Sequence, residues 1–77
     1  MEKRTVELTQ VPAELYKILK FENIAASGGE AKHMIADGLV TVNGQVETRK
    51  RKKIIPGDVI ELFEIVLEVQ GSDTDRS

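Results

Sequence analysis

Between Ser27 and Lys53 the chain gathers Lys32, Arg49, Lys50, Arg51, Lys52 and Lys53, together with its single histidine, His33. Only Glu30, Asp37 and Glu47 oppose them, so this window has a formal charge of +3, while the five basic and ten acidic residues elsewhere give −5. The net charge of −2 therefore conceals a dipolar molecule whose one basic face can attract a polyanion that the rest of the surface repels. Ammonium and guanidinium groups at this density suit the recognition of phosphate. With about five phosphates engaged, log affinity would fall against log salt with a slope of roughly −3.5 on a single strand and −4.5 on a duplex.

A second element of phosphate chemistry is the segment Ser27-Gly28-Gly29-Glu30. It has the capping-box pattern, in which the Ser hydroxyl and the Glu carboxylate satisfy exposed backbone N–H groups at the start of a helix. Free N–H groups and the positive end of the helix dipole lie there, and two glycines leave no side chain in the way of a phosphate. If Ala31, Met34 and Ile35 turn to the core, a step of about 100° per residue puts Gly29, Lys32, His33 and Ala36 on the outward arc. Lys32 would then pair with a phosphate, and His33 would donate or stack. Taken separately, a capped helix with a solvated face and a solvated basic run are ordinary surface features. What favours nucleic acid is their order along the chain, because the run follows the hairpin that follows this helix and both can line one side.

Other chemistries find little support. His33 is the sole imidazole, Ser27 is accounted for as a cap, and the carboxylates are scattered along polar faces, so the chain is not expected to be an enzyme. Cys is absent, which excludes disulfides and thiolate zinc sites, and no cofactor or metal is expected. Around Gly28-Gly29 there is neither a G-x-x-x-x-G-K-S/T nor a G-x-G-x-x-G pattern. Tyr16, Phe21 and Phe63 are the only aromatic residues, and Phe63, inside an apolar run, is expected to pack in the core. No platform remains for stacking successive bases, so a structured RNA read through backbone and shape fits better than a single strand. No apolar run approaches the roughly 20 residues of a membrane span, and the first ten residues lack the apolar stretch of a signal peptide; a cytoplasmic protein without membrane association is expected.

The elements that must position these groups can be read along the chain. At 77 residues there is room for one small core. Thr5 to Thr9 alternates as a half-buried strand with Val6 and Leu8 on one side. Pro12 suits a first helical position, and Leu15, Ile18, Leu19 and Glu22 form the stripe of a first helix ending near Asn23. The second helix runs from the Ser27 cap to Gly38, which can take positive φ. Val40 and Val42 alternate before Asn43-Gly44, a strong hairpin signal, and Val46 resumes the returning strand. The run Arg49–Lys53 cannot contribute a core face and must be a loop or a protruding edge. After Pro56-Gly57-Asp58, the segment Val59–Val69 shifts phase near Leu62, which a bulge or a tight turn explains.

In this order the elements resemble the RNA-binding domain first seen in ribosomal protein S-four, the αL motif, and its small stand-alone bacterial members in particular. The resemblance runs without a gap from about Glu14 to Glu61. It rests on Leu15 and Leu19, SGGEAKHMI, Gly38-Leu39-Val40-Thr41-Val42-Asn43-Gly44, the stretch Val46 to Lys53, and Gly57-Asp58. The implied fold is α+β, with two short helices packed on a small antiparallel sheet of about three to five strands. One domain over 1–70 and a disordered polar tail over 71–77 are expected. RNA would lie along helix two, its N-terminal loop and the adjoining strands, touching Ser27, Gly28, Gly29, Lys32, His33, Asn43, Arg49, Lys50, Arg51, Lys52 and Lys53.

The chain departs from the family pattern at three places. Where many members begin helix one with Arg-Leu-Asp, it has Glu14, Leu15 and Tyr16; Gly28 stands in place of a common Arg after the capping Ser; Lys32 and His33 replace a basic pair. The very basic stretch Glu47–Lys53 is expected to compensate, so that binding shifts its weight from helix two towards it. The expected partner is structured RNA, of ribosomal or transfer type or within a ribosome-assembly particle, with a ribosomal or RNA-processing protein as a further partner and a monomeric state. The rival expectation is a protein adaptor whose basic edge docks an acidic partner.

Overall fold

In the computed structural model, which describes residues 1–71, two helices cover one face of a five-stranded sheet, and a two-stranded ribbon closes their side. The order is β1 (Glu2–Leu8), β2 (Ala13–Glu14), α1 (Leu15–Phe21), α2 (Gly28–Ala36), β3 (Thr41–Val42), β4 (Gln45–Val46), β5 (Lys53–Ile54), β6 (Val59–Leu62) and β7 (Ile65–Gly71). The large sheet is ordered β1-β7-β6-β3-β4, and β2 pairs with β5.

The sheet is mixed rather than wholly antiparallel. The β3–β4, β3–β6 and β6–β7 pairings are antiparallel, but β1 runs parallel to β7 with Val6 opposite Val69. The parallel pairing is possible because both helices and the hairpins intervene between the two strands, giving the long connection that a parallel pair requires. It also extends β1 back to Glu2, beyond the expected start at Thr5.

Alternation decides which side chains form the core. Val6, Leu8, Ile60, Leu62, Leu67 and Val69 point to the helices, and they meet Leu15, Ile18 and Leu19 of α1 and Ala31, Met34 and Ile35 of α2 in one buried cluster. Both helical stripes thus lie where their periodicity places them. Val40 and Ile54 complete the cluster from outside the helices, both fully buried.

Three expectations require correction, and one open alternative is decided. Pro12 does not open α1, which starts at Leu15; residues 13 and 14 are instead drawn into the β2–β5 ribbon by pairing with Ile54 and Lys53. Of the bulge and the tight turn that the phase shift near Leu62 left open, the structure has the tight turn, and the segment 59–69 is a hairpin. Phe63 lies in that turn at φ 54° and is 67% exposed instead of packing in the core. Gly71, assigned to the tail, is paired with Leu8 at the end of β7; the rest of the expected tail lies outside the described residues.

Candidate nucleic-acid interface

The basic run is fixed in place by its own backbone. Glu14 occupies the N-cap of α1 but makes no capping hydrogen bond with its side chain. Instead, the Leu15 N–H donates to the Lys52 carbonyl at 2.9 Å and the Tyr16 N–H to the Lys50 carbonyl at 3.2 Å. Two N–H groups left open at the start of a helix are thereby satisfied by the loop that carries the cations. A turn closed from the Lys52 N–H to the Arg49 carbonyl, together with the Glu14–Lys53 pair, holds both ends of the run. The carbonyls point to α1, which frees the charged side chains to point elsewhere.

Helix α2 supplies the facing surface. Ser27 Oγ accepts from the Glu30 N–H at 3.1 Å, while the Glu30 carboxylate accepts from the Ala26 N–H at 2.8 Å, one residue before the usual capping-box partner. Gly38, at φ 79°, ends the helix. Its outward arc, Gly29, Lys32, His33 and Ala36, joins Lys50 of the loop around a shallow depression of about 330 Å³. The two basic elements therefore do converge.

Tyr16 sits at their junction. Its ring lies against Gly28, where a β-carbon would stand 3.6 Å from Cε2. The Lys32 ammonium is 4.6 Å from the ring centroid and the Arg51 guanidinium carbon 6.0 Å, both within cation–π range. Gly28 is thus covered by a ring, whereas Gly29 is exposed.

The other residues expected at the site divide by what they touch. Arg49 is held by Glu47: its Nε and Nη2 donate to the two carboxylate oxygens at 2.9 and 3.2 Å, and its N–H donates to Oε2 at 3.0 Å. Hydrogen bonding from Arg49 holds the Glu47 carboxyl below the ordinary carboxylate value and raises Arg49 above its own. Lys53 faces away from α2 and lines a separate groove with Leu8, Lys17 and Phe21, so the five cations of the run do not share one side. This split follows from β5: pairing of Lys53 with Glu14 fixes which way the side chain leaves the ribbon. Lys52 is half-buried. Asn43 is occupied in the hairpin, donating to Asp58 at 2.9 Å and accepting from the Val59 N–H at 2.9 Å. Sequence reading missed the role of Tyr16. Its only signal was an aromatic residue where many relatives of the αL type have Asp.

The sequence model of the S4 domain matches residues 6–70. The chain belongs to the S4 domain family. Among curated proteins it is 51% identical over 47 residues to YbcJ of Escherichia coli (strain K12), covering 61% of this chain and 67% of that protein, and equally similar to YbcJ of Shigella flexneri. Among solved structures it matches the solution structure of Escherichia coli YbcJ, which reveals an αL motif involved in RNA binding, with a TM-score of 0.67 and 42% identity. That match covers 86% of this chain and 85% of YbcJ. The S4 domain thus has the αL fold read from the sequence, and no helix among the described residues is long and apolar enough to cross a membrane.

Proposed function

We propose that this S4 domain is a non-enzymatic module that binds structured RNA, of ribosomal or transfer type or within a ribosome-assembly particle, in the cytoplasm and as a monomer. The observation that carries the reading is the convergence of Lys32, His33 and Lys50 on one depression, with Arg51 gathered beside it by Tyr16. Among the described residues Lys32, Lys50 and Arg51 make no ion pair, so their charge is free for a phosphate backbone. YbcJ supports the choice of RNA. So does the disposition of the rings: Tyr16 is engaged by cations, Phe21 lines the opposite groove, and Phe63 sits at the β6–β7 turn. Three dispersed rings offer no stack for successive bases, which favours recognition through shape and backbone.

The test is an amide NMR titration with an RNA hairpin and a DNA duplex of equal charge, each at two salt concentrations. Salt-sensitive shifts centred on residues 28–36 and 50–52, larger with RNA, are the expected result. Shifts of equal size with DNA would refute selectivity for RNA. No shift with either nucleic acid would refute the reading and leave an acidic protein as the ligand to seek.

A further inference from the structure

We propose that Tyr16 is a positioning residue of this interface, whose ring holds the Lys32 ammonium and the Arg51 guanidinium, from two separate elements, in one array for RNA phosphates. The inference rests on the RNA-binding reading above and deepens it. Its basis is a contrast between two ways of restraining a cation within the same loop. Glu47 restrains Arg49 by a carboxylate, which cancels the charge it orients. Tyr16 restrains Lys32 and Arg51 by a neutral ring, and among the described residues neither of these cations makes an ion pair. A ring face draws a cation by its quadrupole and leaves the full positive charge, and most of its N–H donors, for another anion.

The backbone makes this ring a fixed point. Tyr16 is the second residue of α1, its N–H is bound to the Lys50 carbonyl, and its ring edge rests on Gly28 at the first turn of α2. The loop, α1 and α2 are therefore tied together at one side chain. A lysine and an arginine free in solvent must each lose rotamer freedom on binding phosphate, and a ring that already confines them reduces that loss.

Tyr16→Phe, Tyr16→Leu and Tyr16→Met test the proposal, with thermal unfolding to confirm that each variant folds. Phe keeps the ring and is expected to bind an RNA hairpin within about two-fold of the wild type. Leu and Met lose it and are expected to bind roughly five-fold more weakly, since each exposed cation–π contact is worth about two- to five-fold and Arg51 stands at the edge of the range. In the Lys32→Ala/Arg51→Ala background, Tyr16→Leu is expected to have no further effect. A full loss in that background would overturn the proposal, because the ring would then be touching RNA itself; so would Leu and Met variants that bind as tightly as the wild type. An RNA-free readout separates this failure from that of the function: upfield ring-current shifts of the Lys32 and Arg51 side-chain protons should be present in the wild type and in Phe, and absent in Leu. Missing shifts in the wild type refute the ring–cation array, whereas a wild type that shows them but binds no RNA refutes the RNA-binding reading.

Discussion

Lys50→Ala and Lys53→Ala remove the same charge three positions apart, and the structure requires that they behave differently. Lys50 borders the depression with Gly29, Lys32, His33 and Ala36, whereas Lys53 leaves β5 on the side of the Phe21 groove. Counting Lys32, Lys50 and Arg51 as the phosphate contacts, the slope of log affinity against log salt should be roughly −2.1 for single-stranded and −2.7 for duplex nucleic acid, below the five-contact value read from composition. Raising salt from 50 to 200 mM should then weaken wild-type binding roughly 18- to 42-fold, and Lys50→Ala, with two contacts left, only about 7- to 12-fold. Lys53→Ala should retain the wild-type slope, because its side chain lines the other groove and makes none of the counted phosphate contacts. Fluorescence anisotropy with a labelled RNA hairpin over this salt range measures all three slopes. Equal flattening by both substitutions would refute the assignment and show that affinity follows net charge rather than placement.

Glu47→Gln should release Arg49 and add a contact, steepening the slope by about 0.7–0.9 and tightening low-salt binding; an unchanged slope would show that Arg49 cannot reach the nucleic acid. The same release should follow acidification. The Glu47 carboxyl is depressed in the fold, so its favourable pairing is present above the unfolded-state value and lost only as pH falls through the lower folded one; protection of the Arg49 side-chain protons, taken relative to the intrinsic exchange rate at each pH, should therefore fall below the ordinary carboxylate range, not at neutral pH. Ser27→Ala removes the cap of α2 and should cost about 1 kcal/mol, lowering the thermal midpoint by roughly 4–8 °C in a domain of this size. Asn43→Ala breaks two hydrogen bonds at a left-handed position and should cost about 1–3 kcal/mol in denaturant unfolding while the folded protein keeps its RNA affinity.

Features carried by local rules were legible in the chain. The stripe of Ala31, Met34 and Ile35, the Ser27 cap and the Asn43-Gly44 turn each depend on residues a few positions apart, and all stand where spacing puts them. The misplaced features depend on partners far away. Pro12 has the chemistry of a helix start, yet the start moved to Leu15 because β2 pairs with a strand forty residues on, and Phe63 looked like a core residue until the β6–β7 register put it in a turn. At the site, the cations were visible but their directions were not: alternation along an extended run cannot tell that Glu47 takes Arg49 or that β5 turns Lys53 away. Tyr16 was hidden for the same reason, since its neighbours Gly28, Lys32 and Arg51 come from two other elements.

The remaining surface explains how such a small basic site can select an orientation. Pairing in register puts Lys3, Glu7, Glu61 and Glu68 on the sheet face that no helix covers, since residues opposite one another across strands share a face. Three carboxylates against one ammonium make that face acidic, and Lys3 is itself paired with Glu68. Phosphates are thus repelled from the open sheet and drawn to the helix side, and because a field of this kind acts during diffusional approach, it biases encounter before any hydrogen bond forms. The helix side is where the backbone of the loop caps α1, so its cations are held on the rigid body of the fold and not on a free tether. Charge reversal at a distance should therefore register at low salt: Glu61→Lys and Glu68→Lys should admit encounters on the sheet face and raise the total RNA bound, while the RNA-induced shifts of the α2 amide signals grow no larger than in the wild type.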